Sequence, residues 1–104
     1  MTEAEIQLSI LKYLKTIDVS AWRNNSGKVR VNGGWMQLAP EGSTDIIGYL
    51  PGGKFLGIEV KKPGKKPTVK QTEWMEDAAG SGCIIIVAHC LDDVIRSLGQ
   101  NAGR

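Results

Sequence analysis

From Thr2 to Leu14 the apolar positions Ile6, Ile10, Leu11 and Leu14 return at helical spacing, with Thr2 placed as N-cap and Glu3 and Glu5 in the first turn, where the helix dipole favours acids. A first helix is predicted there. The pattern fades at Asp18, and Val19 to Arg23 reads as a short strand followed by the turn-rich Asn24-Asn25-Ser26-Gly27. Lys28-Val29-Arg30-Val31 alternates, Asn32-Gly33-Gly34 turns, and Trp35 to Ala39 returns as the second arm of a small hairpin. Asp45 to Leu50 forms a further strand, and Phe55 to Lys62 is its antiparallel partner across Pro51-Gly52-Gly53.

Pro63-Gly64-Lys65-Lys66-Pro67 fits neither a strand nor a helix interior, because its two prolines each remove a backbone donor. Thr68 then caps a second helix running to about Ala79, with Trp74, Met75 and Ala78 on one face and Gly80 and Gly82 ending it. Cys83 to Ala88 is apolar without alternation, which predicts a central strand covered on both faces. Leu91 to Leu98, opened by Asp92 and Asp93, is the last helix and leaves residues 99–104 as a frayed tail. Helices interleaved with strands, one antiparallel pair among them, define an α/β architecture.

At 104 residues the chain suits one domain spanning 1–104 with a single core, not two cores. With 41% hydrophobic and 23% charged residues, disorder, collagen-like repetition and coiled coil are excluded. No apolar run approaches the roughly 20 residues of a bilayer crossing, and Glu3 and Glu5 stand where a signal peptide would be basic, so no membrane and a cytoplasmic location are expected. Cys83 and Cys90 are too few for a disulfide framework and pack as small hydrophobes; with His89 they make three potential ligands, which cannot close a structural zinc site.

The net charge of +2 hides an uneven distribution. Lys54, Lys61, Lys62, Lys65, Lys66 and Lys70 fall in seventeen residues whose one acid is Glu59. Such a local field suits a polyanion, although a solvated lysine-rich loop has the same composition.

That single acid carries the chemistry. Side chains alternate along a strand, so Glu59 and Lys61 share a face, and a Leu50–Lys54 pairing across the tight loop sets Asp45 opposite Glu59. Two carboxylates about 5 Å apart at their Cβ atoms repel unless a cation stands between them. Mg²⁺ is commonly held by one or two carboxylates plus waters and phosphate oxygens, which points to hydrolysis of a phosphodiester with Lys61 either positioning the water or stabilising the developing charge. The basic loop then meets a nucleic-acid backbone through Lys62, Lys65 and Lys66. Gln71 falls on the predicted buried face of the second helix, where its amide needs a partner, and the acid cluster is the candidate.

Gly42-Ser43-Thr44-Asp45-Ile46, then Gly57-Ile58-Glu59-Val60-Lys61 and Gln71 on a helix, resemble the PD-(D/E)XK nuclease superfamily. The chain is most similar to the small stand-alone VRR-NUC (virus-type replication-repair nuclease) domains, relatives of Holliday-junction resolvases, and the match includes Trp22 to Gly27. The resemblance implies a restriction-endonuclease-like domain, with a mixed central sheet and an antiparallel hairpin flanked by helices in the order α-β-β-β-α-β-α. It implies Mg²⁺ or Mn²⁺ held by Asp45, Glu59 and the Val60 carbonyl, with Lys61 as catalytic lysine and Glu3, better spaced than Glu5, as the acid of the first helix. Gln71 joins the catalytic set, and Arg23 joins Lys62, Lys65, Lys66 and Lys70 as DNA contacts. Thr44 stands where the superfamily has proline, a position that varies.

The expected activity is therefore metal-dependent endonucleolytic cleavage of DNA, structure-selective on branched forms such as Holliday junctions or flaps, by a homodimer whose twofold relates two sites. The rival from another class is a non-catalytic nucleic-acid-binding module using the basic loop 61–70. Acids near phosphates repel them, so such a module has no reason to align Asp45 with Glu59. The spacing from Gly48 to Lys54 mimics a phosphate-binding loop, but Phe55 replaces the hydroxyl residue and a hairpin turn opens no helix. Among the tryptophans, only Trp35 is expected to be exposed.

Overall fold

The structure is a computed structural model that describes residues 1–102. In chain order the elements are α1 (Glu3–Thr16), β1 (Ser20–Arg23), β2 (Lys28–Val31), β3 (Gly34–Gln37), β4 (Ile46–Tyr49), β5 (Phe55–Val60), α2 (Val69–Gly80), β6 (Ile84–Ala88) and α3 (Leu91–Ala102). β1, β4 and β5 form an antiparallel meander, and β6 joins β5 in parallel after the α2 crossover, so the central sheet is mixed with order β1-β4-β5-β6. β2 and β3 pair only with each other. With this ribbon set aside, the order is the expected α-β-β-β-α-β-α.

The even-numbered residues of β4 and β5, including Ile46, Leu56, Ile58 and Val60, are buried in one cluster with Ile6, Ile10 and Leu14 of α1 and Val94 and Leu98 of α3. The i, i+4 spacing of the α1 residues lays one stripe on this sheet face. Truncating any of these Ile or Leu side chains to alanine costs about 2–5 kcal/mol. The odd-numbered residues Asp45, Ile47 and Tyr49, and Phe55, Gly57 and Glu59, face the other way. Met75 of α2 is buried outside the main cluster, where α2 packs against β6.

Both predicted helix caps form as boxes. The Thr2 hydroxyl accepts from Glu5 N while Glu5 Oε1 accepts from Thr2 N, and Thr68 and Gln71 make the same reciprocal pair.

Three expectations are corrected. β6 is not a covered central strand but an edge strand with Val87 exposed; parallel pairing to β5 asks for an apolar run, while the open edge leaves one side uncovered. The last helix does not end at Leu98 with a frayed tail from residue 99, but continues to Ala102. Gly99 lacks the positive φ that would make it a terminating cap and stays within the helix, while residues 103–104 lie outside the described residues. Trp35 is not alone in being exposed, because Trp22 is 49% exposed on the edge strand β1 and meets Tyr49 edge-on at 6.4 Å.

Candidate active site

The β4–β5 register pairs Ile46 with Ile58 and continues one step to Asp45 and Glu59 at the end of the ladder. The Val60 N–H donates to Asp45 Oδ2 at 2.8 Å, fixing the aspartate against β5. Glu59 is buried, its side chain 1% exposed, and Lys61 Nζ lies 3.6 Å from its Oε2 while keeping 16% exposure. Asp45, Glu59 and Lys61 are thus brought together, as the alternation of the two strands requires.

The loop that delivers Asp45 is held from three directions. The Asn24 N–H donates to Asp45 O at 2.7 Å, and its side-chain amide donates to Ser43 Oγ at 2.7 Å and Thr44 O at 3.0 Å. Thr44 is fully buried and donates to Ile46 O at 3.0 Å. A Cβ on Gly57 would meet Thr44 Oγ1 at 2.7 Å, so the bare backbone of β5 makes room for Thr44. Gly42, at φ 85°, lies against the start of α2, where a Cβ would collide with Lys70 O. Asn24 lies in a turn-rich stretch whose sequence assigns it no part in the site. Its role depends on the β1–β4 pairing, which local sequence does not encode.

Glu3 reaches the same end of the sheet, its Oε2 accepting the Lys62 N–H at 3.1 Å. Glu5 is occupied by the Thr2 cap, whose hydrogen bonds hold its carboxyl below the usual range. The geometry therefore separates the two acids of the first helix.

Gln71 does not join the cluster as expected. It is half-buried, and its Oε1 accepts the Thr68 N–H at 2.9 Å as the third residue of the capping box. The Thr68-x-x-Gln71 spacing is itself the signature of that box and outweighs the helical-wheel argument. Lys62, Lys65, Lys66 and Lys70 are exposed beyond the end of β5. Arg23, paired with Ile46 at the same end of the sheet, donates from Nη2 to Ala4 O at 3.4 Å.

Burial, then the charge of Asp45, pushes the Glu59 carboxyl up to about 7, against the opposing pull of Lys61. Asp45 is raised as well, chiefly by burial, although the Val60 N–H favours its charged form. Glu59 Oε1 is buried and has no hydrogen-bond partner among the described residues. A carboxylate oxygen left in that state costs several kcal/mol when ionised. Two repelling acids, one with an orphaned oxygen, fit a hard divalent cation. Among the described residues no group of three or more carboxylate, imidazole or thiol side chains could hold a metal ion, so the acid pair by itself would supply two side-chain ligands.

The chain matches no protein family by sequence and no curated relative. Its fold does match: a solved structure described as a VRR_NUC domain protein superposes with a TM-score of 0.61 at 23% identity, over 96% of this chain and 87% of that one. The chain therefore has the restriction-endonuclease-like fold seen in that protein. Among the described residues no helix is long and apolar enough to cross a membrane.

Proposed function

We propose that the protein is a divalent-metal-dependent endonuclease that hydrolyses phosphodiester bonds in DNA, selectively in branched forms such as junctions or flaps, and that it works as a homodimer in the cytoplasm. The observation that carries this reading is the Asp45–Glu59 pair, with its orphaned Glu59 Oε1 and Lys61 at 3.6 Å, set beside exposed lysines. The likeness in fold to a VRR_NUC domain protein supports it. A domain that merely bound phosphates would gain nothing from a buried and a half-buried carboxylate set side by side.

Asp45, Glu59 and the Val60 carbonyl would hold the ion, with Glu3 as a neighbouring acid. The bound cation supplies Lewis acidity toward the phosphate and lowers the pKa of a water. In the hydrolysis, a water oxygen forms a bond to phosphorus, one bridging P–O bond breaks, and the leaving oxygen takes up a proton. Lys61 orients the water and stabilises the charge that develops on the phosphoryl oxygens, a contribution of the kind often worth 10²–10³-fold in rate. Lys62, Lys65, Lys66, Lys70 and Arg23 would bind the backbone on either side by contacts that position it without reading sequence. Gln71 acts through the cap of α2, which packs on the loop delivering Asp45.

The homodimer is supported by the β2–β3 ribbon. Its register sorts Lys28, Arg30, Trp35 and Gln37 to one face and Val29, Val31 and Met36 to the other. Val31 and Met36 are exposed, and an isolated two-stranded ribbon is marginal in water, so its apolar face suits a second copy.

The test is incubation with labelled four-way-junction, flap and linear DNA in Mg²⁺, Mn²⁺ or EDTA, alongside Lys61→Ala and Glu59→Ala. Metal-dependent cleavage lost in both variants supports the nuclease. Binding without cleavage in any metal, unchanged by Glu59→Ala, leaves a basic binding module.

A further inference from the structure

Past Val60 the catalytic strand runs out of ladder, yet Lys61 must hold its ammonium beside Glu59. The chain leaves two residues later into Pro63-Gly64, whose proline fixes its own φ but ties neither Lys61 nor Lys62 to the sheet. The ties come from elsewhere in the fold. The Lys61 N–H donates to Ala88 O at 3.0 Å, and the Lys62 N–H donates to Glu3 Oε2 at 3.1 Å. His89, directly after Ala88, places its ring Nδ1 3.1 Å from Lys61 O and 3.2 Å from Lys62 O.

Both of those oxygens are carbonyls and can only accept, so Nδ1 must carry a proton and donate to the pair as a three-centre bond. Whenever the ring is neutral, Nε2 is then its unprotonated nitrogen. His89 is itself fixed, because its N–H donates to Asp93 Oδ2 at 2.8 Å and Asp93 Oδ1 accepts from Arg96 Nη2 at 2.9 Å. The chain Arg96–Asp93–His89 therefore ends on the two consecutive peptide units that follow Lys61 and Lys62.

We infer that His89 is a positioning residue, a latch whose Nδ1–H holds the Lys61–Lys62 backbone so that the Lys61 ammonium stays registered with the acid pair. The inference rests on the reading of Lys61 as the catalytic lysine. Nothing about the imidazole as an acid, a base or a metal ligand is needed; the function is one donor at one point. Small displacements of such supports are costly, since about 1 Å of misplacement removes on the order of 10²-fold in rate.

The donor's location gives the test. An asparagine amide nitrogen occupies nearly the place of histidine Nδ1, whereas a glutamine amide nitrogen falls near Nε2 and misses the carbonyls. His89→Ala, His89→Phe and His89→Gln should each lower kcat by about 10- to 100-fold with KM for DNA little changed, and His89→Asn should restore most of it. A purely structural role would track thermal stability across the series and would not single out asparagine. Independently of activity, His89 is the one histidine in the chain, so its ¹⁵N spectrum needs no assignment. In the neutral ring, reached by raising the pH until the ¹⁵N signals stop moving, the latch requires the protonated-nitrogen signal at Nδ1, the tautomer that free histidine disfavours.

An Nε2–H tautomer, wild-type kcat in His89→Ala, or an Asn variant as impaired as the Ala variant would each overturn the latch while leaving the nuclease in place. A wild-type protein inactive on every DNA in every metal overturns the nuclease reading, and the latch's catalytic role with it.

Discussion

Asp45 and Glu59 sit opposite each other at the end of the β4–β5 ladder, and Asp45 Oδ2 receives the Val60 N–H. Burial and mutual repulsion keep Glu59 up at about 7, so the metal-free protein carries a stored electrostatic cost that varies with pH. The folded value lies above the unfolded one of 4.5, so the folded state binds the extra proton. The stability this group contributes is fully present below pH 4.5 and is lost as pH rises through 7; at higher pH the loss is about 3 kcal/mol. Asp45, raised as well, acts in the same direction. In EDTA, the melting temperature of the wild type should fall between pH 5 and 8 relative to Glu59→Gln, which stays neutral. Parallel pH profiles for the two proteins would refute the account.

A divalent cation should reverse that cost. At a hundredfold excess over its dissociation constant, Mg²⁺ or Mn²⁺ stabilises the folded state by about 2.7 kcal/mol, and the gain should vanish in Asp45→Asn and Glu59→Gln. Calorimetric melting with and without metal reads this without any DNA. A thermal shift that persists in both variants would place the ion elsewhere.

Much of this site was legible in the sequence because it is built on strand alternation. Once Leu50 and Lys54 were paired across a short loop, the register left Asp45 no other partner than Glu59, and Lys61 had to follow on the same face. Asn24 and His89 escaped for the opposite reason. Asn24 contacts Asp45 through the β1–β4 pairing and His89 contacts Lys61 through the β5–β6 pairing, and nothing local announces either. Gln71 shows a conflict between two sequence rules, helical periodicity and the capping box, in which the local hydrogen bond to Thr68 prevailed. The edge position of β6 likewise depends on which strands pair, which an apolar run does not state.

The capping role of Gln71 and the catalytic role expected from the sequence make different predictions. As the third residue of a capping box, Gln71 is replaceable by glutamate with little loss, while Gln71→Ala costs about 0.5–1 kcal/mol, the range of a helix cap. Cleavage by Gln71→Glu at near wild-type kcat assigns it to the helix. A large drop in kcat with unchanged stability would return it to the chemistry.

Asn24 predicts a heavier loss. Asn24→Ala removes the amide that holds Ser43 Oγ and Thr44 O and leaves the Thr44 carbonyl without it, for about 1–3 kcal/mol. Because the freed loop carries Asp45, metal affinity should weaken along with stability. Titration of Mn²⁺ into Asn24→Ala by calorimetry checks this, and wild-type affinity would show that β1 does not position the site.

The ribbon makes the last prediction. Met36 is exposed on the face of β3 that also bears Val31 across the pair, and burying such a side chain stabilises by about 1.5–3 kcal/mol. If a second copy covers it, Met36→Glu should weaken self-association by at least tenfold and shift micromolar samples toward monomer in sedimentation. The basic face, with Arg30 over the Trp35 ring at 5.5 Å, points away from that contact and should be untouched. Junction cleavage should then lose its paired incisions, because two sites related by a twofold are no longer held together, while single incisions continue. A wild type that sediments as a monomer with and without DNA would remove the dimer and leave the ribbon's apolar face to another partner.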